Sequence, residues 1–193
     1  MKPFIERTLG RVLRSVRAGN RCLAWNDARL VEAPDVIHLG SPSFADGEPM
    51  PERHAGVGVG ENISPALTWT NVPEDAVELV LVLQDPDAPL SRPVVHVIAT
   101  GLLPASTGVA EGALMPGHAH AGQFSFGTGS FGRIGYAGPR PVRGHGTHRY
   151  IFQIFAISKP LALGAAPTLE MVLAGMNGSV VGRGRITGTF RRD

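Results

Sequence analysis

Apolar positions along the chain change their period, and the changes mark its elements. Phe4, Ile5, Leu9, Val12, Leu13 and Val16 recur at spacings of three and four, with Arg7, Arg11, Arg14 and Arg17 on the other side. That spacing predicts an amphipathic helix closed by Gly19-Asn20. Such a helix either lies on a membrane surface or packs its apolar face on the body or a second subunit, and the shortness of the face favours packing. Residues 33–66 are rich in proline, glycine and polar side chains, with a short strand candidate at Val36–Leu39. Beyond them the pattern turns to β. Leu67–Thr70, Val77–Gln84, Val94–Thr100 and Tyr150–Ser158 are apolar, β-branched or aromatic runs bounded by turn residues. Val77–Leu83 is apolar at nearly every position, as in a strand buried on both faces, whereas Arg185–Phe190 alternates like a half-exposed one. Thr168–Met176 is a second short helix, closed by Asn177-Gly178. A long glycine-rich stretch, Ala105–Gly146, has little periodicity, and a loop of that length in a compact domain usually carries function. The fold class is mainly β with one or two peripheral helices.

Composition removes several classes. The chain has 193 residues, enough for one domain with a sizeable core. Its 43% hydrophobic and 18% charged content argues against disorder, and 25 glycines with 16 prolines imply many turns. No apolar run approaches the roughly 20 residues that span a bilayer, and no signal-peptide core is present, so stable membrane insertion is not expected. The single cysteine, Cys22, fits a reducing compartment, so a cytoplasmic location is expected. The net charge of +2 conceals basic ends and an acidic middle. The cations lack interleaved aromatics, and nucleic-acid binding is not expected.

Three segments are more polar than a β core requires. Asp85-Pro86-Asp87-Ala88-Pro89 leaves the most buried strand as a corner stiffened by two prolines. Its carboxylates are either pre-organised acceptors or ordinary turn residues. His96 stands inside the apolar run Val94–Ala99; it is either a satisfied core histidine or, seven residues past Pro89, a partner of Asp85 or Asp87 that would set its tautomer and raise its pKa. The third segment, Gly138–Tyr150, feeds a strand through His148-Arg149-Tyr150, which places His148 and Tyr150 on one face and Arg149 on the other. His118-Ala119-His120 and His145–His148 have short, metal-like spacings, but nothing supplies converging third and fourth ligands, and no cofactor is implied.

Together these blocks resemble the phosphatidylethanolamine-binding protein family, in its bacterial Raf-kinase-inhibitor-like branch. Gly60-Glu61-Asn62-Ile63-Ser64-Pro65-Ala66-Leu67-Thr68-Trp69 is similar to its N-terminal signature, Asp85–Pro89 with His96 to its central motif, and Gly138–Tyr150 with Phe152 and Ala156 to its third. The likeness divides the chain into an N-terminal helical extension, 1–35, and a domain over 36–193. It implies a large central antiparallel sheet packed on a smaller one. It also implies a non-catalytic pocket for a small anionic or zwitterionic phosphate ligand, lined by Asp85, Asp87, Ala88, Pro89, His96, Gly138, Pro141, His148 and Tyr150. A regulated kinase or protease is the protein partner it suggests. Two other readings stay open: a hydrolase using the Asp/His pocket, with or without metal, and an interaction module that forms a homodimer through the N-terminal helix. The sequence departs from the pattern at Val95, where an aromatic is usual, at Val142 in place of a second proline, and at Arg140, a possible phosphate contact.

Overall fold

A computed structural model describes residues 3–117 and 124–193. His118 and His120 therefore lie outside the described residues. A five-stranded sheet, ordered β6-β4-β3-β7-β8, is built from β3 (Glu78–Asp85), β4 (Val94–Leu102), β6 (Ser125–Phe126), β7 (His148–Ile157) and β8 (Val180–Phe190). A three-stranded sheet joins β1 (His38–Gly40), β2 (Leu67–Thr70) and β5 (Gly108–Val109) in the order β1-β2-β5. All named pairings are antiparallel.

The unbroken apolar pattern of β3 is explained by its central place. Leu79, Leu81 and Leu83 meet Trp69, Leu67 and Leu39 of the small sheet, while Val80 and Val82 point the other way, against Val172, Leu173 and Met176 of α2 (Leu169–Met176). Every residue of β3 is buried, and each of its leucine and valine side chains is worth about 1.5–3 kcal/mol of hydrophobic stabilisation. Thr168 caps α2 by accepting from the Met171 N–H. The buried glutamines of β3 and β7 are satisfied. Gln84 Oε1 accepts from the Ala24 N–H and Gln153 Oε1 from the Trp25 N–H, each at 2.7 Å, which fastens residues 24–25 to the sheet.

Two elements differ from the sequence expectation. β8 begins at Val180 rather than Arg185, because Gly182 and Gly184 let another segment approach. A Cβ on Gly184 would stand 2.1 Å from the Ile37 carbonyl oxygen, so these glycines serve close packing rather than a turn. The N-terminal helix, α1 (Pro3–Val12), is shorter than its periodicity suggests and is turned over. Past Val12 the chain leaves the helix so that the Ala18 and Gly19 N–H groups can reach the Ala88 and Pro86 carbonyls at 3.0 and 2.8 Å. The side that meets the body holds Gly10, where a Cβ would come within 2.0 Å of the Arg143 carbonyl oxygen, and Glu6, which accepts from Arg192 at 2.9 Å. Phe4, Ile5, Leu9 and Val12 face outward. Apolar packing of this helix on its own body is thus corrected.

Candidate functional site

Antiparallel pairing explains why three separated motifs converge. β3 runs against both β4 and β7, so its C-terminal end meets their N-terminal ends. Asp85 is registered with Val94, two residues before His96, and Gln84 with Ile151, next to Tyr150. Side chains two apart on a strand share a face, so Asp85, His96, His148 and Tyr150 collect on one side of the sheet.

Asp85, His96 and His148 border a cavity of about 270 Å³. Of the residues expected to line it, Asp85, Ala88, Pro89, His96, Gly138, Pro141 and His148 do. Asp87 and Tyr150 are not among its walls. Asp87 turns away to accept from the Arg149 N–H, Nε and Nη2 at 2.8, 2.8 and 2.9 Å, and it pairs with Arg17 at 2.9 Å. Burial by itself would raise its pKa, but Arg149 and then Arg17 outweigh it and hold the carboxyl at about 2. Tyr150 lies beneath, its ring edge-on to His96 with centroids 5.2 Å apart. Burial pushes its hydroxyl far above the ordinary tyrosine range, which keeps it protonated.

The two histidines have different roles. His96 Nδ1–H donates to the Ala137 carbonyl, and its Nε2 is buried without a partner. Burial lowers its pKa, against a smaller opposing pull from Asp85, so the neutral ring is favoured and Nε2 offers a lone pair. The tautomer is therefore set by a main-chain carbonyl, not by Asp85 or Asp87, and the pKa moves down rather than up. His148 is the histidine that bonds Asp85, Nδ1 to Oδ2 at 2.8 Å. Its Nε2 meets His145 Nδ1 at 2.7 Å, and His145 Nε2 meets the Val16 carbonyl at 3.2 Å. The two ends of this row are oxygens, the Asp85 carboxyl at one and the Val16 carbonyl at the other. Burial and then the neighbouring His148 lower the His145 pKa. Neither His148 nitrogen is left to meet a ligand.

Several contributors were not visible as site residues in the sequence. His145 stands out in the sequence by its metal-like spacing and its place in the Gly138–Tyr150 block, and among the described residues no three such side chains form a group that could hold a metal ion. Arg133 lines the cavity beside Arg140, and among the described residues neither has a carboxylate partner. Phe131 stands on a short 3-10 turn, Ser130–Gly132, at a left-handed φ of 61°, and brings an aromatic to the wall where Val95 does not. Ser130 Oγ accepts from the Val95 N–H at 2.9 Å and holds that turn across the start of β4.

The Gly60–Trp69 block serves the site from behind. Asn62, at a φ of 59°, accepts from the Gly138 N–H at 2.8 Å and donates to the Tyr136 carbonyl at 3.3 Å. These bonds fix the loop whose Ala137 carbonyl orients His96. Gly138 is required by contact: a Cβ there would come within 2.2 Å of the His54 carbonyl oxygen.

A two-sheet β protein with a small cavity at converging strand ends, walled by an Asp-Pro corner and a Gly/Pro-rich loop, is a ligand-binding architecture. The family model described as phosphatidylethanolamine-binding protein matches residues 40–191, and the chain belongs to that family. It is 34% identical to a UPF0098 protein of Aquifex aeolicus over 159 residues, covering 82% of this chain and 90% of that one. It is 37% identical over 158 residues to LppC of Mycobacterium tuberculosis, whose name calls it a lipoprotein, covering 82% and 74% of the two chains. The crystal structure of a phosphatidylethanolamine-binding protein homologue from Chlamydia trachomatis superimposes with a TM-score of 0.73 at 31% identity, covering 82% of this chain and 99% of that one.

Proposed function

We propose that the cavity binds a small phosphate-bearing ligand that carries its own proton donor, phosphoethanolamine being the simplest, and that the protein acts by binding rather than turnover. The observation that carries this reading is His96: a buried ring nitrogen without a partner, on a residue of the cavity wall, and an acceptor in the favoured neutral ring. An unpaired buried acceptor is costly, so the fitting ligand brings an O–H or an ammonium N–H to it. Arg133 and Arg140 then supply the positive charge for phosphate oxygens, in place of the fully engaged His148. A zwitterionic head group has both parts. The name of the matching family agrees with a ligand of this class. On this reading the bound state regulates a protein partner, a kinase or protease being the kind the resemblance suggests. A cytoplasmic location is part of the proposal; cell fractionation tests it against the lipoprotein name of the mycobacterial relative.

Calorimetric titration of inorganic phosphate and O-phosphoethanolamine into the wild type and His96→Ala tests the reading. Both ligands bind the wild type, phosphoethanolamine more tightly, and the folded variant loses the difference. Affinity for inorganic phosphate falls as pH rises past about 6, where the phosphate gives up the proton it donates, whereas phosphoethanolamine keeps its ammonium donor. Inorganic phosphate binding that strengthens with pH, or binding that ignores His96→Ala, overturns the assignment.

A further inference from the structure

Among the described residues the outward face of α1 has no partner. Phe4 is 80% exposed, Val12 73%, Ile5 53% and Leu9 42%. Four large apolar side chains on ten residues of helix form a continuous stripe, because spacings of three and four stack on one side. This segment lies outside residues 40–191, and an inference from its exposed face is independent of the reading of the cavity.

The charges around the stripe say what can cover it. The helix has one acidic residue, Glu6, and it is turned inward onto Arg192 and Arg143. Arg7 and Arg11 are exposed along the helix and Arg14 just beyond it, and among the described residues none of the three has a carboxylate partner. The one polar side chain within the stripe, Thr8, donates its hydroxyl to the Phe4 carbonyl at 3.1 Å, so its proton is already satisfied if the face leaves water. A second copy would double the unpaired positive charge of this end of the molecule without neutralising it. An outward apolar ridge backed by exposed cations, whose side chains start from the side nearer Gly144 and Gly146, instead matches a surface that is anionic outside and apolar beneath. No helix among the described residues is long and apolar enough to cross a membrane, so the contact is one of lying on the surface.

We propose that α1 docks the protein onto anionic lipid bilayers, with Phe4, Ile5, Leu9 and Val12 sunk between head groups and Arg7, Arg11 and Arg14 at the phosphate level. Co-sedimentation of the full chain with vesicles tests this, using phosphatidylcholine alone and phosphatidylcholine mixed in equal parts with phosphatidylglycerol. The protein sediments with the mixed vesicles and not with the neutral ones, and added salt releases it. Phe4→Ser with Val12→Ser abolishes sedimentation while the melting curve stays unchanged. Arg7→Gln with Arg11→Gln weakens it by about 25-fold, roughly fivefold for each cation near an anionic surface. No association with mixed vesicles overturns the proposal, as does equal association with neutral ones or indifference to the Phe4/Val12 pair. A dimer dispersed by that same pair assigns the face to a second copy and also overturns it.

Discussion

Strand β3 and helix α1 are both rich in apolar residues, and the fold treats them in opposite ways. All eight residues of β3 are buried, with leucines to one layer and valines to the other. In α1 the apolar positions point outward, while a glycine and a glutamate make the contact with the body. The difference lies in what each element can exchange with its neighbours. β3 shares ladders with two strands, and its side chains have a layer above and below. α1 sits on a loop, where a close main-chain approach at Gly10 and an ion pair at Glu6 hold it, leaving its stripe for an outside surface. An apolar face therefore contributes to this molecule's stability in one region and to its surface chemistry in the other.

The largest expected contrast comes from truncating one side chain in each region. Leu81→Ala lowers unfolding stability by about 2–5 kcal/mol, read from urea denaturation, because the layer facing the small sheet closes fully over that position. Phe4→Ser stays within about 0.5 kcal/mol of the wild type, since the ring is already in water. Equal losses would mean that α1 buries its apolar face after all.

A second effect of about 2–3 kcal/mol belongs to Asp87, where the N-terminal segment meets the acidic corner. Its carboxyl is held at about 2 in the fold against an ordinary value of 3.8. A depressed carboxylate adds stability that is complete above the unfolded pKa and is lost as pH falls through the folded one. Stability therefore drops between about pH 4 and pH 2, and Asp87→Asn removes that part of the pH dependence along with the ion pairs to Arg149 and Arg17. An unchanged acid limb in the variant would place the sensitive carboxylate elsewhere.

The smallest effect on stability concerns Phe131, which is exposed like the stripe of α1 but belongs to the cavity. Phe131→Gly changes stability by less than about 1 kcal/mol, since relief of a left-handed φ offsets the added flexibility of glycine. The same substitution weakens phosphoethanolamine binding in calorimetry. Unchanged affinity would remove the aromatic from the site.

Much of the architecture was legible before any coordinates. Leu67–Thr70 forms the strand its pattern predicts, β3 is buried as its unbroken apolar run requires, and Thr168 caps α2. Less of the cavity was legible. Asp85, His96, His148 and Gly138 could be singled out because polar or glycine-rich blocks interrupt apolar strands, yet Arg133, Phe131 and Ser130 lie in a stretch without periodicity. Nothing local marks them, since a loop takes its place from what it is tied to, here the Val95 N–H.

By itself the sequence determined the period of each element, the places where polar groups enter apolar runs, and the motifs that resemble a family. These are properties of neighbours along the chain. Only the tertiary structure decided that Asp87 belongs to two arginines and Asp85 to His148, that His96 keeps one nitrogen without a partner, and that the stripe of α1 faces outward. Each of those outcomes depends on groups far apart in sequence and brought together by the antiparallel register of β3 with β4 and β7 or by the seating of the N-terminal segment. Hydrogen bonds and ion pairs act over a few ångströms, so their partners are chosen by that register and not by the residues beside them.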